Sequence, residues 1–160
     1  MLETAVTASI QDDTEVSVVF IDLDHFKRIN DALGHAAGDE VLRQFGQLLR
    51  DRLVDGEMGG RLGGEEFAVC LPGDGLTAAA QRAETLRAAI AATPIAAGGR
   101  TMTITASFGV ASWHAGLQTA ADLMRDADEA LMRAKQDGRN RVCVAAAEGG
   151  AGFGTDTEPQ

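Results

Sequence analysis

The apolar positions of this chain change period repeatedly, and each change marks an element. Glu15–Asp22 reads Glu-Val-Ser-Val-Val-Phe-Ile-Asp, a β-branched run that predicts a buried central strand. His25–Leu33 follows as a short helix closed by Gly34. Across Gly38–Val54, the residues Val41, Leu42, Phe45, Leu48, Leu49 and Leu53 recur at helical spacing and make one apolar stripe. Gly59–Pro72 reads as a hairpin of strand, Gly-Gly-Glu-Glu tip and strand. Leu76–Ala92 is an alanine-rich helix closed by Pro94, and Arg100–Trp113 reads as one long strand. Thr119–Gln136 is a helix ended by Gly138, and Arg141–Ala145 a last short strand. Residues 1–11 read as a helix fragment without a start signal, and 146–160, built of Gly, Ala, Thr, Glu and Pro, as a disordered tail.

The order is β-α-α-β-β-α-β-α-β after a partial first helix. Strands joined by the tip must run antiparallel, while the helical crossovers allow other pairings. The expected class is α+β, ferredoxin-like in outline, with a mixed, mainly antiparallel sheet flanked by helices. A chain of 160 residues with a 45% apolar fraction fits one domain, expected over 1–145. No apolar run reaches membrane-helix length and no leader opens the chain, so a cytoplasmic location is expected, alone or as the cytoplasmic part of a larger protein.

The formal net charge of −10 argues against nucleic acid or an anionic membrane as the main partner. It leaves room for a nucleotide, because bound metal and local cations offset phosphate charge. Of 14 basic residues only Lys27 and Lys135 are lysine, a compact point charge suited to a phosphate oxygen. Cys70 and Cys143 sit in apolar strand-like runs and read as buried free thiols.

The candidate chemistry is acidic. Asp22 ends an apolar strand, where a carboxylate needs a hydrogen-bond donor or a metal. Asp24 starts a helix, and the N-cap reading is preferred for it. Glu65 and Glu66 are like charges side by side on a glycine tip, and a cation removes the cost. Hard oxygen ligands favour Mg²⁺ over zinc, and His25, His35 and His114 are too scattered to offer a competing site. Lys27 lies where a helix start could hold a phosphate, although a solvated lysine is the commoner case. Lys135 and Arg139 near a helix end suit the dipole as well as a ligand, and Asp39 in a first helical turn has the same plain explanation.

Several segments together resemble one family. These are Asp22-Leu23-Asp24-His25-Phe26-Lys27-Arg28-Ile29-Asn30-Asp31, then Gly34-His35 and Gly38-Asp39, then Arg61-Leu62-Gly63-Gly64-Glu65-Glu66-Phe67. Ser107-Phe108-Gly109-Val110-Ala111, Ala127-Asp128-Glu129-Ala130-Leu131 and Ala134-Lys135-Gln136-Asp137-Gly138-Arg139-Asn140-Arg141 continue the likeness. In order and spacing they resemble the GGDEF domain of diguanylate cyclases, here in a GGEEF form, over roughly residues 2–145. The resemblance implies a nucleotide-cyclase-like fold and condensation of two GTP into cyclic di-GMP and two pyrophosphates. It implies Mg²⁺ or Mn²⁺, two per active site, and one GTP per domain in a facing homodimer. Asp22 would bind metal through its carboxylate, Leu23 through its carbonyl, and Glu65 and Glu66 would complete the metal set. Glu65 and Lys27 would be the catalytic residues. Asn30 and Asp39 would read the guanine edge, with Phe26 and His35 beside the substrate. Lys27, Lys135 and Arg139 would hold phosphates.

The sequence departs from that family at four places. The usual Asp-x-Leu-Thr-x-Leu-x-Asn-Arg opening is missing, so the domain is expected to be N-terminally truncated, with an upstream sensor or receiver domain absent. The Arg-x-x-Asp product site would fall at Val54 and Glu57, while Arg52 and Asp55 carry that pattern displaced by two residues. No normal inhibitory site is therefore expected, and product would bind at the active site. Leu62 and Met132 replace tyrosines and read as apolar packing swaps, and Gly59-Gly60 loosen the strand before Arg61. The alternatives are a catalytically inactive module that binds GTP or cyclic di-GMP, and cyclisation of a single nucleotide to a 3′,5′-cyclic monophosphate.

Overall fold

The computed structural model describes residues 2–12, 14–114, 117 and 119–146. The chain runs α1 (Leu2–Gln11), β1 (Val16–Leu23), α2 (Phe26–Leu33), α3 (His35–Arg50), β2 (Met58–Gly63), β3 (Glu66–Pro72) and α4 (Leu76–Ala92). It continues with β4 (Ile95–Ala97), β5 (Arg100–Met102), β6 (Ala106–Ser112), α5 (Ala120–Gln136) and β7 (Val142–Val144). Five strands form one sheet in the order β2-β3-β1-β6-β7. Only the β6–β7 pair is parallel, so the sheet is mixed and mainly antiparallel, as expected for the α+β class.

β1 is the axis of the sheet because both of its faces are apolar. Val19, Ile21 and Leu23 point into the larger core with Val41, Phe45 and Leu49 of α3 and Ala83, Leu86 and Ile90 of α4. Val16 and Val18 point the other way, against Val6 of α1 and Leu123 and Ala127 of α5. A sheet covered by helices on both faces has no reason for polar alternation, which explains the near-continuous apolar run. α5 lies closest to the sheet. A Cβ on Gly109 would fall 2.2 Å from the Ala127 carbonyl oxygen and 2.2 Å from the Leu131 amide nitrogen, so only glycine lets the helix backbone rest on β6. Thr119 starts α5 as its N-cap in a reciprocal capping box with Asp122.

The expected long strand over Arg100–Trp113 is two strands. β6 holds the second half, and β5 turns away to pair with β4 in a separate two-stranded sheet. The turn is Gly98-Gly99, with φ of 58° and 72° and Ala97 facing Arg100 across it. Two consecutive glycines with positive φ are the signature of a two-residue hairpin. α3 starts earlier than expected, at His35, and ends at Arg50. Gly34, with φ 83° and ψ 163°, alone separates it from α2. Leu62 and Met132 are not packing swaps: they are 50% and 46% exposed. Cys70 is a buried free thiol, pushed by burial up to about 11, and Cys143 is free and half-buried. The tail expected over 146–160 lies, Ala146 apart, outside the described residues.

Candidate active site

The last turn of β1 delivers Asp22 to the α5 side of the sheet. Its cross-strand partners are Glu66 on β3 and Ser107 on β6, so Asp22 and Glu66 face the same way. The Asp22 carboxylate is buried and accepts a hydrogen bond from Lys135 Nζ at 2.7 Å. Lys135 reaches it because Gly109 seats α5 directly on β6. The Leu23 amide donates to the Glu65 carbonyl at 3.3 Å, tying the end of β1 to the hairpin tip. At the tip the β2–β3 register shifts between Arg61 and Gly63, and Gly64 takes φ 53°. Arg61 Nε donates to the Gly64 carbonyl at 2.7 Å, so this guanidinium holds the turn from inside. The sequence drew attention to the tip acids and gave Arg61 no role.

These carboxylates outnumber Lys135, the cation that pairs with them. Burial pushes the Glu65 carboxyl above the usual carboxylate range; the Asp22 charge adds to the rise, Lys135 opposes it, and Glu66 adds again. Among the described residues no three His, Cys, Asp or Glu side chains stand close enough to enclose a metal by themselves. The arrangement fits a hard cation that takes one or two carboxylates and fills its other positions with phosphate and water. The charge imbalance around Glu65 is what such a cation would relieve.

Asp24 does not cap α2. The chain passes through a left-handed residue at His25, with φ 57°, and no side chain caps that helix. Asp24 is instead buried and accepts from Thr105 Oγ1 at 2.7 Å, Ser107 Oγ at 2.6 Å and the Asn140 amide at 3.0 Å. The last bond anchors the turn after α5, where Arg139 and Asn140 both hold positive φ, 63° and 45°. Non-glycine residues there cost free energy that the surrounding structure must offset. Asp24 thus fixes the backbone from which Arg139 projects, exposed to solvent. An isolated acid before a helix gave the sequence no signal of partners more than 80 residues away.

The other expected residues lie on α2 and α3. Lys27 is exposed on the first turn of α2, and His35 is exposed at the first residue of α3. Phe26 is buried in the larger core, beneath this region rather than open to a ligand. Asn30 is half-buried and Asp39 exposed. Asp39 stands at one end of a cavity of about 360 Å³ between α3 and β2, whose other walls include Gly46, Gly60, Arg61 and Phe67. Asn30 and Asp39 thus lie on the paired helices α2 and α3, whereas the carboxylates and Lys135 gather at the sheet end.

The positions expected to lack a product site are occupied by internal contacts. Val54 is 63% exposed and carries no cation. Glu57 is clamped by Arg82, with Nε–Oε1 2.7 Å, and accepts from the Val54 amide at 2.9 Å. Burial works against ionising Glu57, but the Arg82 guanidinium and the Val54 amide outweigh it and hold the carboxyl below the usual range. Arg52 turns its guanidinium to the Leu48 carbonyl at 3.1 Å.

Comparison with known proteins places this geometry. The family described as "Diguanylate cyclase, GGDEF domain" matches residues 1–141. Diguanylate cyclase DgcP of Pseudomonas aeruginosa is 44% identical over 144 residues, which is 90% of this chain and 21% of that protein. Diguanylate cyclase DgcM of Escherichia coli is 43% identical over 131 residues, 82% of this chain and 31% of that protein. The chain thus spans about a fifth to a third of the length of these curated relatives. Among solved structures, the active GGEEF domain of a diguanylate cyclase from Vibrio cholerae superposes with a TM-score of 0.81 at 36% identity, covering 91% of this chain and 92% of that one. The GGDEF domain of DgcB from Caulobacter crescentus, in complex with c-di-GMP, gives a TM-score of 0.81 at 30% identity, covering 89% and 85%.

Proposed function

The chain belongs to the GGDEF-domain family of diguanylate cyclases, and we propose that it condenses two GTP into cyclic di-GMP and two pyrophosphates. One GTP would sit on each domain of a facing pair. The observation that carries this reading is the convergence of Asp22, Glu65 and Lys135 at the end of β1, with the raised Glu65 carboxyl among them. Asp22, the Leu23 carbonyl and Glu65 would hold Mg²⁺ or Mn²⁺, with Glu66 supporting. The bound metal supplies charge neutralisation and a more acidic ribose 3′-hydroxyl.

The protein's own residues do the rest. Glu65 takes the 3′-hydroxyl proton, as a carboxylate beside the attacking oxygen can. The 3′-oxygen then forms a bond to the α-phosphorus of the GTP on the facing domain. The α–β bridging P–O bond breaks, and pyrophosphate leaves with that electron pair. Lys27, Lys135 and Arg139 hold phosphate oxygens, and Lys135 has donors to spare beside its bond to Asp22. Asn30 and Asp39 select guanine, since a carboxylate accepts from N1–H and the 2-amino group, neither of which adenine carries. With Glu57 committed to Arg82 and Val54 in the place of an arginine, product would bind at the active site instead.

Incubation with GTP and Mg²⁺, with products identified by mass, tests the reading. Cyclic di-GMP supports it; cyclic GMP would mean intramolecular cyclisation, and neither product would mean a non-catalytic binding module.

A further inference from the structure

We propose that Gly38 is a positioning residue that sets base selectivity by seating Asn30; the inference rests on the guanine-reading role given to Asn30 above. Gly38 is buried in the second turn of α3 and is not among the residues with positive φ. Its backbone therefore makes no demand for glycine, and in a helix interior glycine is worse than alanine by about 1 kcal/mol. The requirement lies in the space beside it. A Cβ at Gly38 would fall 1.9 Å from Asn30 Oδ1, 2.9 Å from Asn30 Cγ and 3.2 Å from Phe26 Cζ. On the same helix, a Cβ at Gly46 would meet Phe67 Cε1 at 3.5 Å, an ordinary contact.

The Asn30 amide lies against the bare backbone of α3, close to the Phe26 ring. Among the described residues its side chain makes no hydrogen bond to the protein. Packing against α3 seats it, and no protein group competes with a ligand for its hydrogen bonds. Asp39 is the next residue after Gly38. One peptide unit thus carries one base-reading group and supports the other, which holds the pair in register. A methyl group at position 38 would push the amide away by on the order of 1 Å, a misplacement that can cost a hundredfold at a tuned site.

The test uses titration calorimetry of the wild type, Gly38→Ala, Asn30→Ala and the double variant with α,β-methylene GTP and α,β-methylene ATP, alongside thermal melting. Gly38→Ala should weaken the GTP analogue at least tenfold and leave the ATP analogue unchanged, so the selectivity ratio falls with it. The double variant should bind no worse than Asn30→Ala alone, because alanine at 30 vacates the contested space. Any loss of melting temperature in Gly38→Ala should be restored in the double variant for the same reason. Equal weakening of both analogues, losses that multiply in the double variant, or a melting loss that Asn30→Ala does not relieve would each overturn the assignment. A wild type that binds both analogues equally would instead remove the guanine-reading role on which it rests.

Discussion

β1 and β2 flank the same strand and serve the same site, yet they are built on opposite terms. β1 is paired on both sides and only Phe20 among its eight residues escapes full burial. β2 is an edge strand, exposed at all six residues and paired with β3 alone. β1 therefore fixes Asp22 through packing, with α5 bearing on the neighbouring strand. β2 holds the tip through ladder bonds, one register shift and the Arg61 contact. Damage on the β1 side should appear first as lost stability, and on the β2 side as lost activity in a fold that melts normally.

The largest expected effect separates chemistry from both strands. Glu65→Gln should lower turnover by about 10³-fold, within the range for loss of a general base, with a melting temperature that does not fall. Full activity in this variant would refute the role given to Glu65. Gly109→Ala comes next and strikes the β1 side. Two α5 backbone atoms would lie 2.2 Å from the new methyl, so the helix must shift, at a cost of about 3 kcal/mol, read by denaturant unfolding. Arg61→Ala is the matching change on the β2 side. It frees the Gly64 carbonyl in an exposed turn and should lower turnover about tenfold while stability stays within about 0.5 kcal/mol. An unfolding loss as large as that of Gly109→Ala would erase the contrast between the strands.

The smallest effect concerns the clamp at the approach to β2. The Glu57 carboxyl is held below its ordinary value of 4.5, so the folded state favours its ionised form. Its contribution is fully present above pH 4.5 and is lost as pH falls through the lower folded value. Glu57→Gln should cost about 1 kcal/mol at pH 7 and flatten the stability profile below about pH 5. A profile unchanged by the substitution would mean that Arg82 and solvent serve equally well without the carboxylate.

The legible parts of this fold were those with a long single-period signal. β1 and α4 were read within a residue or coincided, and the tip hairpin followed from two glycines ahead of an apolar run. The β4–β5 hairpin escaped because its strands are three residues each, too short to establish a period beside the stronger run that became β6. Gly98-Gly99 was its visible signal. For the site, residue types at the strand end pointed to a cation-poor acidic cluster, and the structure brings Asp22, Glu65 and Lys135 together. The Asp24 network was illegible, since its three donors come from β6, the loop before it and the turn after α5. Leu62 and Met132 were misread because apolarity alone does not say which face of an element a residue occupies.

The Lys135–Asp22 pair closes over 113 positions of the chain, and the Asn140–Asp24 bond over 116. Contacts that distant form late, because loop closure must precede any gain from them. During synthesis β1 and the tip hairpin can leave the ribosome and fold while Lys135, the cation that pairs with Asp22, is still untranslated. For that interval Asp22, Glu65 and Glu66 form a cluster of negative charge without Lys135 to offset it. Docking of α5 thus joins the two halves of the candidate site in one late folding step.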